Sequence, residues 1–299
     1  MYLFFATTKL RLFAFVSALV VIIAPAGLTP VWAQSAQRVV CIGQALNEMI
    51  YALGAQNDLV GVDLSSTFPP EIKKLPNVGY HRALSAEGIL SLRPNLVIHD
   101  NNIGPENVVR QLQELQVPMK TFEAKNDSLE GLKALLREMG AYFHKEQRAR
   151  ELIAQIDREM GEAQQALKNY PDHPRVAVIH FGRASNVYLV VGNGGGGDAG
   201  SAGQMVQWAG GQMAIQKFGM QRMTSPEVIA QSNPDVILIT EYGFDRLGST
   251  EAVKMLPGVA ETNAARNNRI YRVPEHELMY FGPDIGRNVI ELAKLIHRK

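Results

Sequence analysis

Residues 79–98 read GYHRALSAEGILSLRPNLVI, and residues 219–238 read GMQRMTSPEVIAQSNPDVIL. The second stretch follows the first at an offset of 219 − 79 = 140 residues, without a gap. It keeps a glycine, an arginine, a serine, a glutamate, an isoleucine and a proline at matching positions. This repeat predicts two related halves that share one local structure.

The shared Ser-x-Glu motif indicates where a helix begins in each half. Ser85 and Ser225 are suited to cap a helix, because a serine oxygen accepts a hydrogen bond from a free N–H of the first turn. Glu87 and Glu227 then lie in that turn, where the helix dipole favours a carboxylate. Helix formation alone explains both glutamates. Because the first turn also faces solvent, the same residues would give each half one exposed carboxylate for a cationic partner.

The two copies differ just before this motif. Tyr80 and His81 in the first copy correspond to Met220 and Gln221 in the second. The repeat therefore predicts a symmetric scaffold that carries an asymmetric site.

The first 33 residues have the pattern of a secretory signal peptide. Lys9 and Arg11 supply the positive start, residues 13–24 are apolar, and Ala33 suits the cleavage site. An uncleaved anchor is less favoured, since the apolar segment is shorter than the roughly 20 residues that span a bilayer. We expect cleavage before Gln34 and export to the periplasm.

The composition excludes several classes of protein. The 30 basic residues nearly balance the 29 acidic ones, which does not favour a general nucleic-acid binder. A single cysteine, Cys41, excludes an internal disulfide and is expected as a buried thiol in the first strand.

Apolar runs and helical patterns alternate along the chain. Expected strands cover residues 38–42, 59–62, 96–99, 119–122, 176–179, 236–240 and 270–273, and expected helices cover residues 44–53, 85–92, 105–115, 204–209 and 285–296. This alternation predicts an α/β protein with mostly parallel sheets that are covered on both faces.

Residues 127–169 lack proline, and their apolar residues recur at helical spacing, with a possible break near residues 141–145. The pattern is too irregular for sustained heptads, so a rigid connector is favoured over a coiled coil. The expected organisation is a signal peptide (1–33), an N-terminal α/β lobe (34–125), a helical connector (126–170) and a C-terminal α/β lobe (171–299).

Four segments resemble the periplasmic haem-binding proteins of ABC importers, namely RVVCIG at 38–43, YALGA at 51–55, LVGVD at 59–63 and LPNVGYHRALSAEGILSLRP at 75–94. These belong to a wider group that carries vitamin B12 and siderophores. The resemblance implies a class III periplasmic binding protein, with two Rossmann-like lobes joined by a long connecting helix. It also implies a monomer that is not an enzyme, captures haem b in the cleft between its lobes and delivers it to an inner-membrane ABC permease with its ATPase.

The resemblance also assigns roles to residues of the repeat. The tyrosine of the family's Gly-Tyr-x-Arg segment ligates the haem iron, and Tyr80 matches it. A phenolate is a hard donor suited to ferric iron, and Arg82 is placed to favour that ionised form. In the wider group the matching glutamates dock onto arginines of the permease, which assigns this role to Glu87 and Glu227.

Other pocket residues follow from the duplication and from the histidines. Met220 occupies the place of Tyr80 in the second copy, where contact with the porphyrin is favoured over axial ligation. Arg222 is a candidate partner of a haem propionate. His81 adjoins Tyr80, and His180, more than His99, is a candidate second ligand. Solvated roles are expected for His144, His173 and His297.

The segment at residues 277–283 resembles a family loop that borders the pocket. Met279, Tyr280 and Phe281 would cover the porphyrin face, since large flat ligands are held mainly by apolar burial. Packing in the protein core is an equal competitor for these three residues.

Three other functions are alternatives to haem transport. A siderophore or cobalamin binder is the strongest alternative, because only the tyrosine segment separates it from a haem binder. A zinc or manganese carrier would need converging histidines, whereas the seven histidines are scattered. Catalysis is not favoured, because the sequence contains neither Gly-x-Ser-x-Gly nor His-Glu-x-x-His.

Overall fold

The computed structural model describes residues 37–123, 128–181, 188–191, 198–216, 220–222 and 227–298, with the backbone alone described at 188–191, 198–199 and 220–222. The predicted signal peptide lies outside these residues, as does Ser225. No helix in the described ranges is long and apolar enough to cross a membrane.

The first half of the chain folds around a parallel sheet with the strand order β2-β1-β5-β6. Its elements are β1 (Val39–Ile42), α1 (Gln44–Leu53), β2 (Leu59–Val62), β3 (Gly79–Tyr80), β4 (Ala83–Leu84), α2 (Ala86–Ser91), β5 (Leu96–His99), α3 (Glu106–Glu114) and β6 (Met119–Thr121). Strands β3 and β4 form a separate hairpin. The parallel strands end at one edge of the sheet, so Gly43, Asp63 and Asp100 lie together there.

Two helices connect the halves, α4 (Leu129–Tyr142) and α5 (Glu146–Leu167). The predicted break is confirmed, and it includes His144, whose φ of 55° is in the left-handed region. The two helices pack closely, since a Cβ added at Gly140 would lie 2.5 Å from Cβ of Ala149. Lys133 on α4 also forms an ion pair with Asp157 on α5, with 2.7 Å between Nζ and Oδ1.

The second half contains a larger, mixed sheet with the order β10-β8-β7-β11-β12, and β9 pairs with β7. Its elements are β7 (Arg175–Phe181), β8 (Tyr188–Val191), α6 (Asp198–Trp208), β9 (Gln212–Met213), β10 (Met220–Arg222), α7 (Glu227–Ser232), β11 (Val236–Thr240), α8 (Glu241–Leu247), α9 (Thr250–Lys254), α10 (Asn263–Arg266), β12 (Ile270–Val273), α11 (Glu275–Met279) and α12 (Ile285–Ile296). Strands β7, β11 and β12 are parallel, whereas β8 and β10 are antiparallel to their neighbours.

The repeat in the sequence is a repeat in the structure. Helices α2 and α7 begin at positions that match the offset of the repeat to within one residue, Ala86 and Glu227, and β5 and β11 begin at positions related by the offset itself, Leu96 and Val236. The order β2-β1-β5-β6 of the first sheet corresponds to β8-β7-β11-β12 in the second. The main departure is β8, which runs antiparallel to β7, whereas β2 runs parallel to β1.

Alternating residues of each sheet belong to different cores. Leu96 and Ile98 face a large apolar cluster that also contains Val236 and Leu238 of the second sheet and buried residues of α1, α4, α5, α6 and α12. We call this cluster the shared core. The opposite face of each sheet has a core of its own, which includes Val97 in the first half and, in the second, Ile237 and its neighbours. Because both faces are buried, the central strands β1, β5, β7 and β11 are mainly apolar runs, as predicted.

The sequence predicted most strands and long helices to within one or two residues at each end, but α6 begins six residues earlier than expected. The predicted burial of Cys41 is confirmed. The two-residue strands of the hairpin and the short helices α8 to α11, of four to seven residues, leave little periodic pattern and were not predicted, and neither were the antiparallel strands β8 and β10. The boundaries expected for the two lobes and the connector stay a prediction.

The prediction of a solvated His297 was wrong. Its side chain is buried, its ring stacks on Tyr170 with centroids 4.4 Å apart, and its Nδ1 lies 3.0 Å from Oδ1 of Asp172. This histidine therefore attaches the end of α12 to the segment before β7. His144 and His173 are exposed, as expected.

Candidate ligand-binding site

Tyr80 lies on a short hairpin at the carboxyl edge of the first sheet. It pairs with Ala83 across a turn formed by His81 and Arg82. The neighbouring Gly79 has a φ of 101°, a conformation that favours glycine. Backbone hydrogen bonds attach the hairpin to the loop after β2 (Leu64 N to Gly79 O, 2.8 Å) and to the loop after β5 (Gly104 N to His81 O, 2.8 Å). The phenol of Tyr80 is thus half-buried on a well-supported turn.

A buried carboxylate lies behind this hairpin. Asp63 follows β2 and accepts hydrogen bonds from the backbone N–H of Gly43 and of Ser65, both at 2.9 Å, and from the hydroxyl of Ser66 at 2.6 Å. The hydroxyl of Ser65 donates as well. Burial by itself would raise the pKa of Asp63, but the interactions with His81, the two serines and Gly43 outweigh it, so the pKa is below its usual value. The site therefore contains a fixed negative charge.

The side chains of the two turn residues, His81 and Arg82, contact different parts of the protein. The ring of His81 lies against that of Tyr80, with centroids 4.2 Å apart and planes tilted by 50°. Its Nδ1 is 3.7 Å from Oδ2 of Asp63. Arg82 is exposed, and its Nε donates to Oδ1 of Asn102 at 2.9 Å. The structure thus brings Tyr80, His81 and Arg82 together, while the role of each toward a ligand stays a prediction.

His99 and His180 are both buried near the carboxyl ends of central strands. Nδ1 of His99 accepts from the backbone N–H of Asn101 at 3.1 Å, and burial lowers the pKa of the ring. His180 lies inside β7 rather than after it, and its Nδ1 is 3.0 Å from Oγ1 of Thr240 on β11. Both rings are engaged with the protein through Nδ1, and ligation by either stays a prediction.

The second copy of the repeat presents its counterpart of Tyr80 on a sheet edge. Met220 and Arg222 belong to β10, whose backbone pairs antiparallel with β8, Met220 opposite Val191 and Arg222 opposite Leu189. Their side chains lie outside the described residues. Porphyrin contact by Met220 and propionate binding by Arg222 therefore stay predictions.

The segment after β12 packs mainly inside the protein. Met279 is 3% exposed and Phe281 is fully buried in the shared core, with the Phe281 ring 5.2 Å from that of Trp208. Core packing accounts for both side chains. Tyr280 is half-buried, and its hydroxyl donates to Oε1 of Glu275 at 3.3 Å.

A contact that the sequence did not predict joins the two halves. The ring of Phe68, from the first half, stacks on the ring of His276, from α11, with centroids 3.9 Å apart and planes within 8°. Gln44 holds the Phe68 loop, because it accepts from the backbone N–H of Thr67 at 2.6 Å and donates to the carbonyl of Phe68 at 2.9 Å. We call this the Phe68–His276 contact.

Burial governs the charge of His276. It lowers the pKa of the ring to about 4, although the nearby Asp284 opposes this change. The ring is therefore neutral at pH 7. For this reason the 3.9 Å separation of Nε2 from Oε1 of Glu277 is not an ion pair at that pH.

Glu48 is a second buried group at this junction. It lies on α1, accepts a 2.6 Å hydrogen bond from Nε2 of Gln44 and faces Gly282, where an added Cβ would lie 2.3 Å from its Oε2. Burial, together with the carboxylates of Asp284 and Glu277, raises the pKa of Glu48 to about 8. Glu48 is therefore a neutral carboxylic acid at pH 7, fitted against a glycine of the second half.

The predicted docking glutamates both lie in the first turn of a short helix. Ser85 caps α2 as predicted, since its Oγ accepts from the N–H of Gly88 at 3.2 Å, and Glu87 is exposed in the first turn. Glu227 is the first residue of α7 and is also exposed. Among the described residues, no group of three or more histidine, cysteine, aspartate or glutamate side chains could hold a metal ion.

The sequence profile of the periplasmic binding protein family matches residues 39–277. The chain belongs to this family. Family membership confirms the class III α/β fold expected from the resemblance and implies an extracytoplasmic location. Members of the family are substrate-binding proteins of transport systems rather than enzymes.

Individual relatives are also binding proteins. The apo structure of the periplasmic heme-binding protein RhuT from Roseiflexus has 32% identity and a TM-score of 0.78, and the match covers 88% of this chain and 98% of that one. The ABC transporter substrate-binding lipoprotein YvrC of Bacillus subtilis, whose function is uncharacterised, is 25% identical over 264 residues, which cover 87% of this chain and 80% of YvrC. The vitamin B12-binding protein of Pectobacterium atrosepticum is 31% identical over 130 residues, which cover 44% of this chain and 46% of that protein.

Proposed function

We propose that this protein binds haem outside the cytoplasmic membrane and delivers it to an ABC permease. The observation that carries the proposal is the position of Tyr80, a half-buried phenol on a supported hairpin at the carboxyl edge of a parallel sheet. Ligands of open α/β sheets bind at this edge. The likeness to RhuT over 98% of its length supports haem as the ligand.

In this proposal Tyr80 ligates the ferric iron as a phenolate. Arg82 supplies a positive charge near the phenolate, and Arg222 pairs with a propionate of the haem. Met220 and Tyr280 contact the porphyrin from the second half, and His180 is the candidate for a second axial ligand. The proposed ligand is haem b, which is not attached covalently to protein and so can be released to a permease.

The proposal also includes export of the protein and its docking onto a permease. Cleavage after Ala33 would release a monomer into the periplasm, and the partner would be an inner-membrane permease with its ATPase. The exposed carboxylates of Glu87 and Glu227 are the docking points, one from each half.

Titration of the purified mature protein with haemin tests the ligand. We expect a saturable Soret band, and we expect cyanocobalamin or a ferric siderophore in excess to leave that band unchanged. Loss of the band to either competitor, or the lack of saturable haemin binding, would replace haem by a corrinoid or a siderophore as the ligand.

Reversal of charge at the docking glutamates tests the permease contact. Glu87→Arg and Glu227→Arg should each lower haem-dependent stimulation of the permease ATPase by roughly tenfold or more, because like charges facing each other in an interface cost several kcal/mol. Haemin titration should be unchanged in both. Glu106→Arg is the matched control, since Glu106 is an exposed first-turn residue of α3 without an assigned role. Equal loss in the control would contradict docking through the two repeat glutamates.

A further inference from the structure

We propose that Asp63 and His81 act as a pair that positions Tyr80 for its ligand, so that His81 supports the tyrosine instead of ligating iron. This inference rests on the proposed haem function and gives His81 and Asp63 distinct parts in it. Neither residue would touch the iron.

The first step is that Asp63 is held in one place. Four donors surround its carboxylate, namely the backbone N–H groups of Gly43 and Ser65 and the hydroxyls of Ser65 and Ser66. Its side chain has no exposed surface. A carboxylate with this many donors cannot turn without breaking several hydrogen bonds, so it is a fixed, charged acceptor.

The second step is that His81 has unused capacity for hydrogen bonding. Neither ring nitrogen has a hydrogen-bond partner among the described residues, although both are shielded from solvent. Buried polar groups generally have a partner. Nδ1 is 3.7 Å from Oδ2 of Asp63. Hydrogen bonds of this kind are about 2.7–2.9 Å long, so a movement of roughly 1 Å would form one.

The third step is that the ring of His81 controls the ring of Tyr80. The two rings are in contact, 4.2 Å between centroids, and they belong to adjacent residues of one tight hairpin. The hairpin backbone is already attached to Leu64 and Gly104, so the direction of the Tyr80 side chain is the freedom that remains. When His81 moves toward Asp63, its ring restricts the Tyr80 side chain on one side.

The physical benefit is preorganisation. A ligand group that is held in the binding geometry loses less freedom when it binds, and partners that orient metal ligands typically contribute 10–100-fold in metal affinity. We expect Asp63 and His81 to contribute within this range through the orientation of Tyr80.

The test uses the variants Asp63→Asn, His81→Phe and the combination of both. His81→Phe keeps an aromatic ring beside Tyr80 and removes the nitrogens.

Two quantities are measured for the ferric complex, the rate of haem transfer to excess apomyoglobin and the phenolate-to-iron charge-transfer band. Each single variant should release haem roughly tenfold faster and change the band. The double variant should be no faster than the faster single variant, because Asp63 acts through His81. Asp245→Asn, at an exposed ion pair with Arg272 in the second half, is the matched control.

Several results would overturn the inference. Multiplicative effects in the double variant would mean that the two residues act separately. An unchanged band with only a lower unfolding midpoint would mean a purely structural role. If Asp63→Asn does not fold, Ser66→Ala, which removes one donor to Asp63, must change the band in the same direction as His81→Phe. A parent protein that fails to bind haemin would contradict the proposed function itself, whereas a parent that binds and variants that match it would contradict the positioning role alone.

Discussion

Replacement of Tyr80 by phenylalanine is expected to weaken haemin binding by roughly 100-fold or more, which corresponds to about 3 kcal/mol. The change removes one oxygen and keeps the aromatic ring that lies against His81. Apolar contacts with the porphyrin would remain, but the iron would lose its proposed phenolate ligand. Haemin titration followed at the Soret band measures the affinity, and the charge-transfer band should disappear.

Tyr170→Phe is the matched control for this prediction. Tyr170 precedes β7, so it lies toward the opposite edge of the second sheet, where its ring stacks on His297. Its loss of a hydroxyl should leave haemin binding unchanged. Retention of the parent affinity and spectrum by Tyr80→Phe would remove tyrosine ligation from the proposal, even if haem itself still binds.

Replacement of Glu48 by glutamine is expected to stabilise the protein at neutral and alkaline pH. Glutamine has the shape of the protonated acid and can accept the same hydrogen bond from Gln44. The variant should be more stable than the parent by about 3 kcal/mol at pH 7. Denaturant unfolding at pH 4.5, 7 and 9 measures the difference.

The direction of this pH dependence follows from the raised pKa. In the unfolded chain Glu48 titrates near 4.5, and in the folded protein burial raises its pKa to about 8. The folded state therefore holds a proton that the unfolded state releases, so the stability of the parent falls as pH rises from 4.5 to 8. Each pH unit in this window costs about 1.4 kcal/mol. Below pH 4.5 both states are protonated, and the two proteins should be equally stable.

His276→Phe is the matched variant with the opposite window. The folded-state pKa of His276 is lowered from 6.5 to about 4, so the parent loses stability as pH falls from 6.5 to 4. Phenylalanine keeps the stack on Phe68 and cannot be protonated, so this acid-side loss should disappear while the alkaline side is unchanged. A Glu48→Gln variant whose stability tracks that of the parent at every pH would show that Glu48 is not a buried neutral acid.

Much of the fold could be read from the sequence because it depends on local patterns. Continuous apolar runs such as residues 96–98 indicate strands buried on both faces, and their alternation with helices fixes a mainly parallel sheet. Ser85 was recognisable as a cap from its spacing to Glu87. Tyr80 stood out because the repeat diverges there, and the structure brings it beside His81 as adjacent residues of one turn.

The Phe68–His276 contact between the halves could not be predicted from local sequence patterns. Phe68 and His276 lie far apart in the chain, and no local pattern links them. Gln44, Asn47 and Glu48 are polar residues that would predict a solvated helix face, yet all three are buried. Their burial depends on the loop after β2 and on Gly282, which only the tertiary structure brings against α1.

The shared core is built in part from equivalent residues of the two copies of the repeat. Leu96 and Ile98 in one copy and Val236 and Leu238 in the other are equivalent positions, and all four contribute to the same cluster. The two copies thus use one face toward a common interior, as the subunits of a symmetric homodimer do. Tyr80 belongs to none of the apolar clusters, and β10 lies at the outer edge of its sheet. Selection could therefore differentiate the binding residues of the two copies without disturbing the face that unites them.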